Sequence, residues 1–129
     1  MRTMHRICEK ELIVAVVVFS DDPALWRAAL RYAIFHCMEH RDVKVFIACP
    51  EGSHTTVCAR KPEISAVIKE CMRIGGEVYL CDGGRDRLHK LLRKHLFPFL
   101  SEKDIDAICY DAHFQSMKTE RIYVHCFGR

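Results

Sequence analysis

The chain has 129 residues, of which 50% are hydrophobic and 29% are charged. This length and composition are typical of one globular domain and exclude a disordered, collagen-like or repeat protein. The formal net charge is +3, from 20 basic and 17 acidic residues, which is too small to indicate nucleic-acid binding by itself. The longest apolar run, Leu12 to Phe19, is far shorter than the roughly 20 residues that a membrane-spanning helix needs.

The residues around this apolar run also indicate the cellular location of the protein. No small-residue cleavage site follows the run, so we expect no export signal and a cytoplasmic protein. The eight cysteines fall mostly inside periodic apolar segments, so we expect reduced thiols rather than a disulfide framework. Residues 1–10 are predicted to form a flexible segment, and residues 11–129 a single domain.

Strand and helix signals alternate in the first half of the chain. Glu11 to Phe19 is a continuous β-branched run, which is typical of a strand buried on both faces. A helix is predicted from Pro23, which follows a capping aspartate, to about Glu39. Val43 to Cys49 is the second predicted strand, and Pro50 to Lys61 is predicted to be a polar loop.

The alternation continues beyond this loop. Pro62 opens a predicted helix whose apolar residues are spaced three and four apart, and Gly75 stands where a glycine commonly ends a helix. Glu77 to Cys81 is the third predicted strand, and a basic helix is predicted from Arg85 to about Phe97. The cations of this helix are Arg85, Arg87, Lys90, Arg93 and Lys94. Such a helix presents either a solvated face or a surface that contacts phosphates or an acidic partner.

Three shorter elements complete the predicted order. Asp104 to Tyr110 is predicted as a fourth strand, Ala112 to Lys118 as a short helix, and Arg121 to Phe127 as a fifth strand. The resulting β-α-β alternation predicts an α/β fold, with three layers and a mostly parallel five-stranded sheet. In such a sheet the carboxyl ends of the strands share one edge, and ligands bind just outside it.

Cys81 is the candidate catalytic residue at this edge. It ends the third predicted strand, and the turn Asp82-Gly83-Gly84 follows. Open backbone N–H groups in that turn, together with Arg85 and the next arginine, would lower the pKa of the thiol and favour a nucleophilic thiolate. The alternative is a buried cysteine with a packing role, since free cysteine is among the most buried residue types.

Other residues at the same edge are predicted to bind a ligand or partner. Cys49 would act as a resolving thiol if it approaches Cys81, and the alternative is a core thiol. His54 and Cys58 lie near it in sequence but lack the spacing of a zinc site, so we predict no metal and no cofactor. The full set of predicted binding residues is Ser20, Asp21, Cys49, Gly52, Asp82, Gly83, Gly84 and Arg85.

Four segments also carry a family resemblance. They are the first strand with Ser20-Asp21-Asp22-Pro23, the strand from Val43 that leads to Glu51-Gly52, Gly75 to Cys81, and Thr119 to Val124. In order and spacing they resemble the DsrE/DsrF-like family, which includes the TusD-type sulfur-relay subunits. The likeness covers nearly the whole chain.

The resemblance implies a DsrE-like subunit that forms a homo-trimer or hexamer, or joins related subunits. It implies a persulfide on Cys81, received from a sulfur donor protein and passed to an acceptor, with no direct binding of RNA. The alternative is a non-catalytic binding or assembly subunit of the same fold with an inert Cys81. A third hypothesis is a flavodoxin-like protein that binds a small ligand at the loops after the first two strands.

Overall fold

The computed structural model describes residues 12–50 and 54–128. The predicted binding residue Gly52 and the predicted flexible segment 1–10 lie outside these ranges. The elements in chain order are β1 (Ile13–Phe19), α1 (Pro23–Met38), β2 (Asp42–Ala48), α2 (Thr55–Ala59), α3 (Pro62–Arg73), β3 (Glu77–Cys81), α4 (Gly84–Leu96), α5 (Glu102–Tyr110), β4 (Ser116–Lys118) and β5 (Ile122–Phe127).

The five strands form one sheet in the order β3-β2-β1-β5-β4. The pairs β1–β2, β2–β3 and β1–β5 are parallel, whereas β4 is antiparallel to β5. The predicted α/β class with a five-stranded sheet is therefore confirmed. The prediction of a mostly parallel sheet is wrong, because the β4–β5 hairpin makes the sheet mixed.

Residues 104–110 form a helix, so the predicted strand over Asp104 to Tyr110 is wrong. Ser101 caps α5: its Oγ accepts a hydrogen bond from the Asp104 N–H at 3.1 Å, and the Asp104 carboxylate accepts one from the Ser101 N–H at 3.3 Å. The side chains that this helix buries, Ile105, Ile108 and Cys109, have helical spacing. The apolar residues of the predicted strand therefore form the buried face of a capped helix.

The predicted helix over Ala112 to Lys118 is also wrong, since β4 occupies its last three residues. The hairpin to β5 is closed by Thr119, whose Oγ1 accepts hydrogen bonds from the N–H groups of Arg121 at 3.2 Å and Ile122 at 3.1 Å. Strand β4 therefore pairs with β5, the next strand in the chain.

Helices cover both faces of the sheet, which gives three layers. Every residue of β1 is buried, and its side chains alternate between two apolar clusters. One cluster joins the sheet to α1, α2 and α3, and the other joins it to α4 and α5. The continuous β-branched run of β1 is thus explained by its central place in the sheet.

The start of α1 follows the sequence signals. Asp22 is the N-cap residue, and its Oδ1 accepts a hydrogen bond from the Ala24 N–H at 3.0 Å, while Pro23 stands in the first turn. Helix α1 returns the chain to β2, which pairs with β1, and α3 leads on to β3 at one margin of the sheet. Helices α4 and α5 then carry the chain across the other face to β4 and β5.

Two consequences of this topology position the candidate site. The carboxyl ends of β1, β2, β3 and β5 lie at one edge of the sheet, because these strands are parallel. Strand β3 lies at the margin of the sheet, and β2 is its strand partner among the described residues. Helix α4 runs back alongside β3, as the rings of Tyr79 and His95 show, with centroids 4.1 Å apart.

Candidate functional site

Cys81 ends β3 as predicted, but its thiol is buried. The residue is 3% exposed and belongs to the apolar cluster that α4 and α5 cover. Its Sγ lies 4.0 Å from the carbonyl oxygen of Gly84, at the start of α4. Burial raises the pKa of the Cys81 thiol, Arg87 opposes that shift, and Asp82 adds to it. The predicted lowering of the thiol pKa is therefore not found, because desolvation outweighs the nearby cation.

A groove of about 380 Å³ runs between the end of β3 and helix α4, and Cys81 lies in its wall. We call it the basic groove. The strand side consists of Leu80, Cys81 and Asp82, and the helix side of Arg87, Lys90, Leu91 and Lys94. Three cations therefore face a partly apolar surface beside the candidate thiol.

The groove continues along α4 toward its C-terminal end. A second hollow of about 360 Å³ is lined by Lys90, Arg93, Lys94 and Phe97, so it shares two lysines with the basic groove. Phe97 is 61% exposed. The helix thus presents cations and an exposed aromatic ring along one continuous surface.

The five cations of α4 differ in the contacts that they make within the chain. Arg93 pairs with Glu102, with its Nε 2.7 Å from the carboxylate, and the guanidinium of Arg85 lies 4.9 Å from the ring centre of Phe19. Within the described part of the chain, no ion pair involves Arg87, Lys90 or Lys94. These are the cations that line the basic groove.

Asp82 is held by the helix on the other side of β3. Its carboxylate accepts a hydrogen bond from the Thr56 N–H at 3.1 Å and a second one from the Thr56 hydroxyl. These hydrogen bonds hold the pKa of Asp82 below its ordinary value. The carboxylate therefore fastens the end of β3 to α2, and Thr56 is a site residue that the sequence analysis missed.

The turn at Gly83 and Gly84 needs glycine for its backbone. Gly83 precedes α4 with a φ of 121°, and Gly84 follows with a φ of 76°. Both lie in the region that residues with a Cβ rarely adopt. A Cβ on Gly83 would also lie 3.1 Å from the Cβ of Arg87. These backbone angles give the two glycines a conformational role, and their binding role stays a prediction.

Ser20 and Asp21 lie at the end of β1, as predicted. The Ser20 Oγ accepts a hydrogen bond from the Asp22 N–H at 3.0 Å, and its carbonyl oxygen accepts one from Trp26 Nε1 at 2.6 Å. Asp21 is exposed. Arg85 reaches the same part of the edge through its contact with Phe19. The hydrogen bonds of Ser20 organise the start of α1.

Cys49 is buried on the opposite face of the sheet from Cys81, so the predicted approach of the two thiols is wrong. Ala48 is the register partner of Cys81, and successive residues of a strand point to opposite faces. Cys49 accordingly packs in the cluster that α1 and α3 cover. Burial raises the pKa of its thiol, and its N–H donates to Thr55 Oγ1 at 3.0 Å. Cys49 is a core thiol.

One cluster of possible metal ligands occurs among the described residues, and the sequence analysis did not find it. The ligand atoms of His89, Glu102 and Asp106 lie within 4.8 Å of one another between α4 and α5. Other contacts already engage these groups: His89 Nε2 lies 2.6 Å from Asp106 Oδ1, and Glu102 pairs with Arg93. The contacts join the two helices.

Comparisons with family models, curated proteins and solved structures found no match for this chain. The DsrE/DsrF-like assignment therefore stays a prediction from the residues. A search of the described ranges found no helix that is both long enough and apolar enough to span a bilayer. The function has to be argued from the geometry of the basic groove.

Proposed function

We propose that this chain is a non-catalytic binding subunit that holds an acidic partner in the basic groove between β3 and α4. One observation carries the proposal: Arg87, Lys90 and Lys94 line a single groove, and no carboxylate of the described residues forms an ion pair with them. The groove cations are therefore available to an acidic ligand.

The apolar part of the groove favours a partner with side chains over a small anion. Leu80 and Leu91 contribute to the lining, and Leu80 is 36% exposed. Apolar surface of this kind is stabilised when a partner covers it. Complementary charge at its margin selects the partner and accelerates association.

In this proposal Cys81 has a packing role. The thiol is nearly inaccessible and its pKa is raised, so at neutral pH it is protonated and a poor nucleophile. Asp82, which Thr56 holds at the end of β3, adds to the raised pKa of the thiol. These properties favour the inert-cysteine alternative over the persulfide carrier.

The sulfur relay of a DsrE-like subunit is the second candidate, and the place of Cys81 in the wall of the basic groove favours it. In that reaction the Cys81 thiolate attacks the outer sulfur of a donor persulfide. The donor S–S bond breaks, the donor thiolate leaves, and a new S–S bond forms on Cys81. Arg87, which lowers the thiol pKa, would stabilise the attacking thiolate.

The binding of a labelled acidic peptide tests the first candidate. The probe is the hexapeptide Glu-Val-Glu-Val-Glu-Val carrying fluorescein, followed by fluorescence anisotropy. The double variant Lys90→Glu/Lys94→Glu should weaken binding at least about tenfold, since it replaces attraction by repulsion. The control Lys69→Glu/Lys103→Glu makes the same change in net charge on exposed lysines away from the groove and should bind like the wild type. Equal weakening by both variants would reject the groove as the site.

Mass spectrometry of the peptide that contains Cys81 separates the second candidate from the first. The wild type and Cys81→Ser are incubated with a polysulfide donor under native conditions and digested for peptide mapping. The binding-subunit proposal expects no added sulfur on the Cys81 peptide. Stoichiometric addition of one sulfur at Cys81, absent in the serine variant, would establish the carrier instead.

A further inference from the structure

We infer that the partner segment binds in extended conformation, as an additional strand on the free side of β3, with acidic side chains directed at α4. This inference rests on the proposed function of the basic groove and specifies the partner: an acidic, extended segment of another protein.

The margin of β3 is available for pairing. Strand β3 is the terminal strand of the sheet, and β2 is its only strand neighbour in the described ranges. A terminal strand keeps a row of backbone N–H and C=O groups on its outer side, and these can pair with an added strand. Strand addition beside a flanking helix is a recurrent way of recognising peptides.

The groove follows this margin. Leu80 and Cys81 both line it, although successive residues of a strand point to opposite faces of the sheet. Contact with both residues, together with Lys90 and Lys94 along α4, fits a groove that passes along the edge of the strand. Leu80 is more than one-third exposed, which agrees with an open margin at that position.

The cations lie on one side of that margin. Cys81 and Tyr79 pack with the cluster under α4, which places α4 on the face to which they point. Every second side chain of an added strand would point to the same face. An acidic residue at alternate positions would therefore meet Arg87, Lys90 and Lys94, whereas the intervening residues would face the side of α2 and α3.

The spacing of the cations fits such a segment. Arg87 and Lys94 are separated by two helical turns, or about 10 Å along the axis. Alternate residues of a strand are about 6.7 Å apart, so two or three acidic side chains span the same distance. The second hollow shares Lys90 and Lys94 with the basic groove and adds the exposed ring of Phe97, so the surface extends toward the C-terminal end of α4.

N-methylated probes test whether pairing with β3 occurs. Two versions of the alternating hexapeptide are made, one methylated on its three glutamate amides and the other on its three valine amides. In a paired strand only one of these sets of N–H groups points at β3. We expect one version to bind about tenfold more weakly than the parent and the other to keep most of its affinity. The same-composition peptide Glu-Glu-Glu-Val-Val-Val should also bind more weakly.

Each contrary outcome has a definite meaning. If both methylated versions bind like the parent, and Lys90→Glu/Lys94→Glu still abolishes binding, strand addition is overturned while the basic groove remains the site. If no acidic peptide binds the wild type, the proposed function fails together with this inference. A single-stranded oligonucleotide that binds through the same lysines more tightly than the peptides would overturn the assignment to a protein partner.

Discussion

The carboxylate of Asp82 accepts two hydrogen bonds from Thr56, one from the backbone N–H and one from the hydroxyl. This contact joins the end of β3 to the start of α2, over a sequence separation of 26 residues. It fixes the strand margin that borders the basic groove on one side, while α4 borders it on the other. The proposed binding site therefore depends on this contact at the end of one short strand.

The Asp82 contact predicts a specific loss of stability in acid. Because the folded-state pKa of Asp82 is lowered, its contribution is present above the unfolded pKa of about 4 and is lost as the pH falls through the folded value. Asp82→Ala should cost about 1 kcal/mol at pH 7, discounted for exposure, and less at pH 2. Urea unfolding at both pH values measures this.

Asp21→Ala is the control for that experiment, since Asp21 is an exposed carboxylate that follows β1 at the same edge of the sheet. It should change the free energy of unfolding by less than about 0.5 kcal/mol. An Asp82→Ala effect that is no larger, or that is unchanged between pH 7 and pH 2, would contradict the role assigned to the Thr56 hydrogen bonds.

The reactivity of Cys81 should respond oppositely to its two charged neighbours. Burial is the main cause of its raised pKa, Arg87 lowers the pKa and Asp82 raises it. Asp82→Asn should therefore increase the rate of alkylation by iodoacetamide, and Arg87→Gln should decrease it, each by about two- to fivefold at pH 8. Peptide mapping after native labelling gives the rates, with partly exposed Cys58 as the internal reference.

Changes of the same sign in both variants would show that labelling of Cys81 follows local opening rather than thiolate population. A Cys81 that reacts faster than Cys58 in the wild type would contradict the buried packing role and favour the sulfur carrier.

Packing beneath the start of β3 predicts a large effect at Gly76. A Cβ there would lie 2.6 Å from the Sγ of Cys71 and 3.3 Å from the Sγ of Cys37, and Cys71 is fully buried. Gly76→Ala should therefore destabilise the fold by about 1–3 kcal/mol through overpacking. Cys71→Ala removes the nearest sulfur, so the double variant should be less destabilised than the sum of the two single variants. Additive free energies of unfolding in this cycle would contradict the clash.

The part of the fold that could be predicted from the sequence is the part with strong local signals. Local signals predict these elements without knowledge of their tertiary contacts. They are the β-branched run of β1, the prolines at positions 23 and 62 that begin helices, and Gly75 after the end of a helix. Residues 104–110 are helical because the capping box of Ser101 and Asp104 and the helical spacing of the buried side chains outweigh the strand preference of the isoleucines. The three-residue β4 exists only through its pairing with β5.

The site shows a similar division. The position of Cys81 at the end of a strand could be predicted, and it is where the sequence places it. Its burial depends on how α4 packs across the sheet, and the face occupied by Cys49 depends on the β2–β3 register. The hydrogen bonds between Thr56 and Asp82 join distant segments. None of these relationships has a local sequence signal, so the candidate site could be located but its chemistry could not be predicted.

Hydrogen exchange measured with and without the alternating peptide tests most directly that an acidic segment occupies the groove beside β3. At saturating probe, slower exchange is expected in β3 (Glu77–Cys81) and at the groove side of α4, with α1 (Pro23–Met38) as the unaffected reference. The Lys90→Glu/Lys94→Glu variant should show no slowing at the same concentration. Protection confined to elements away from β3 and α4, or equal protection in the variant, would contradict the account.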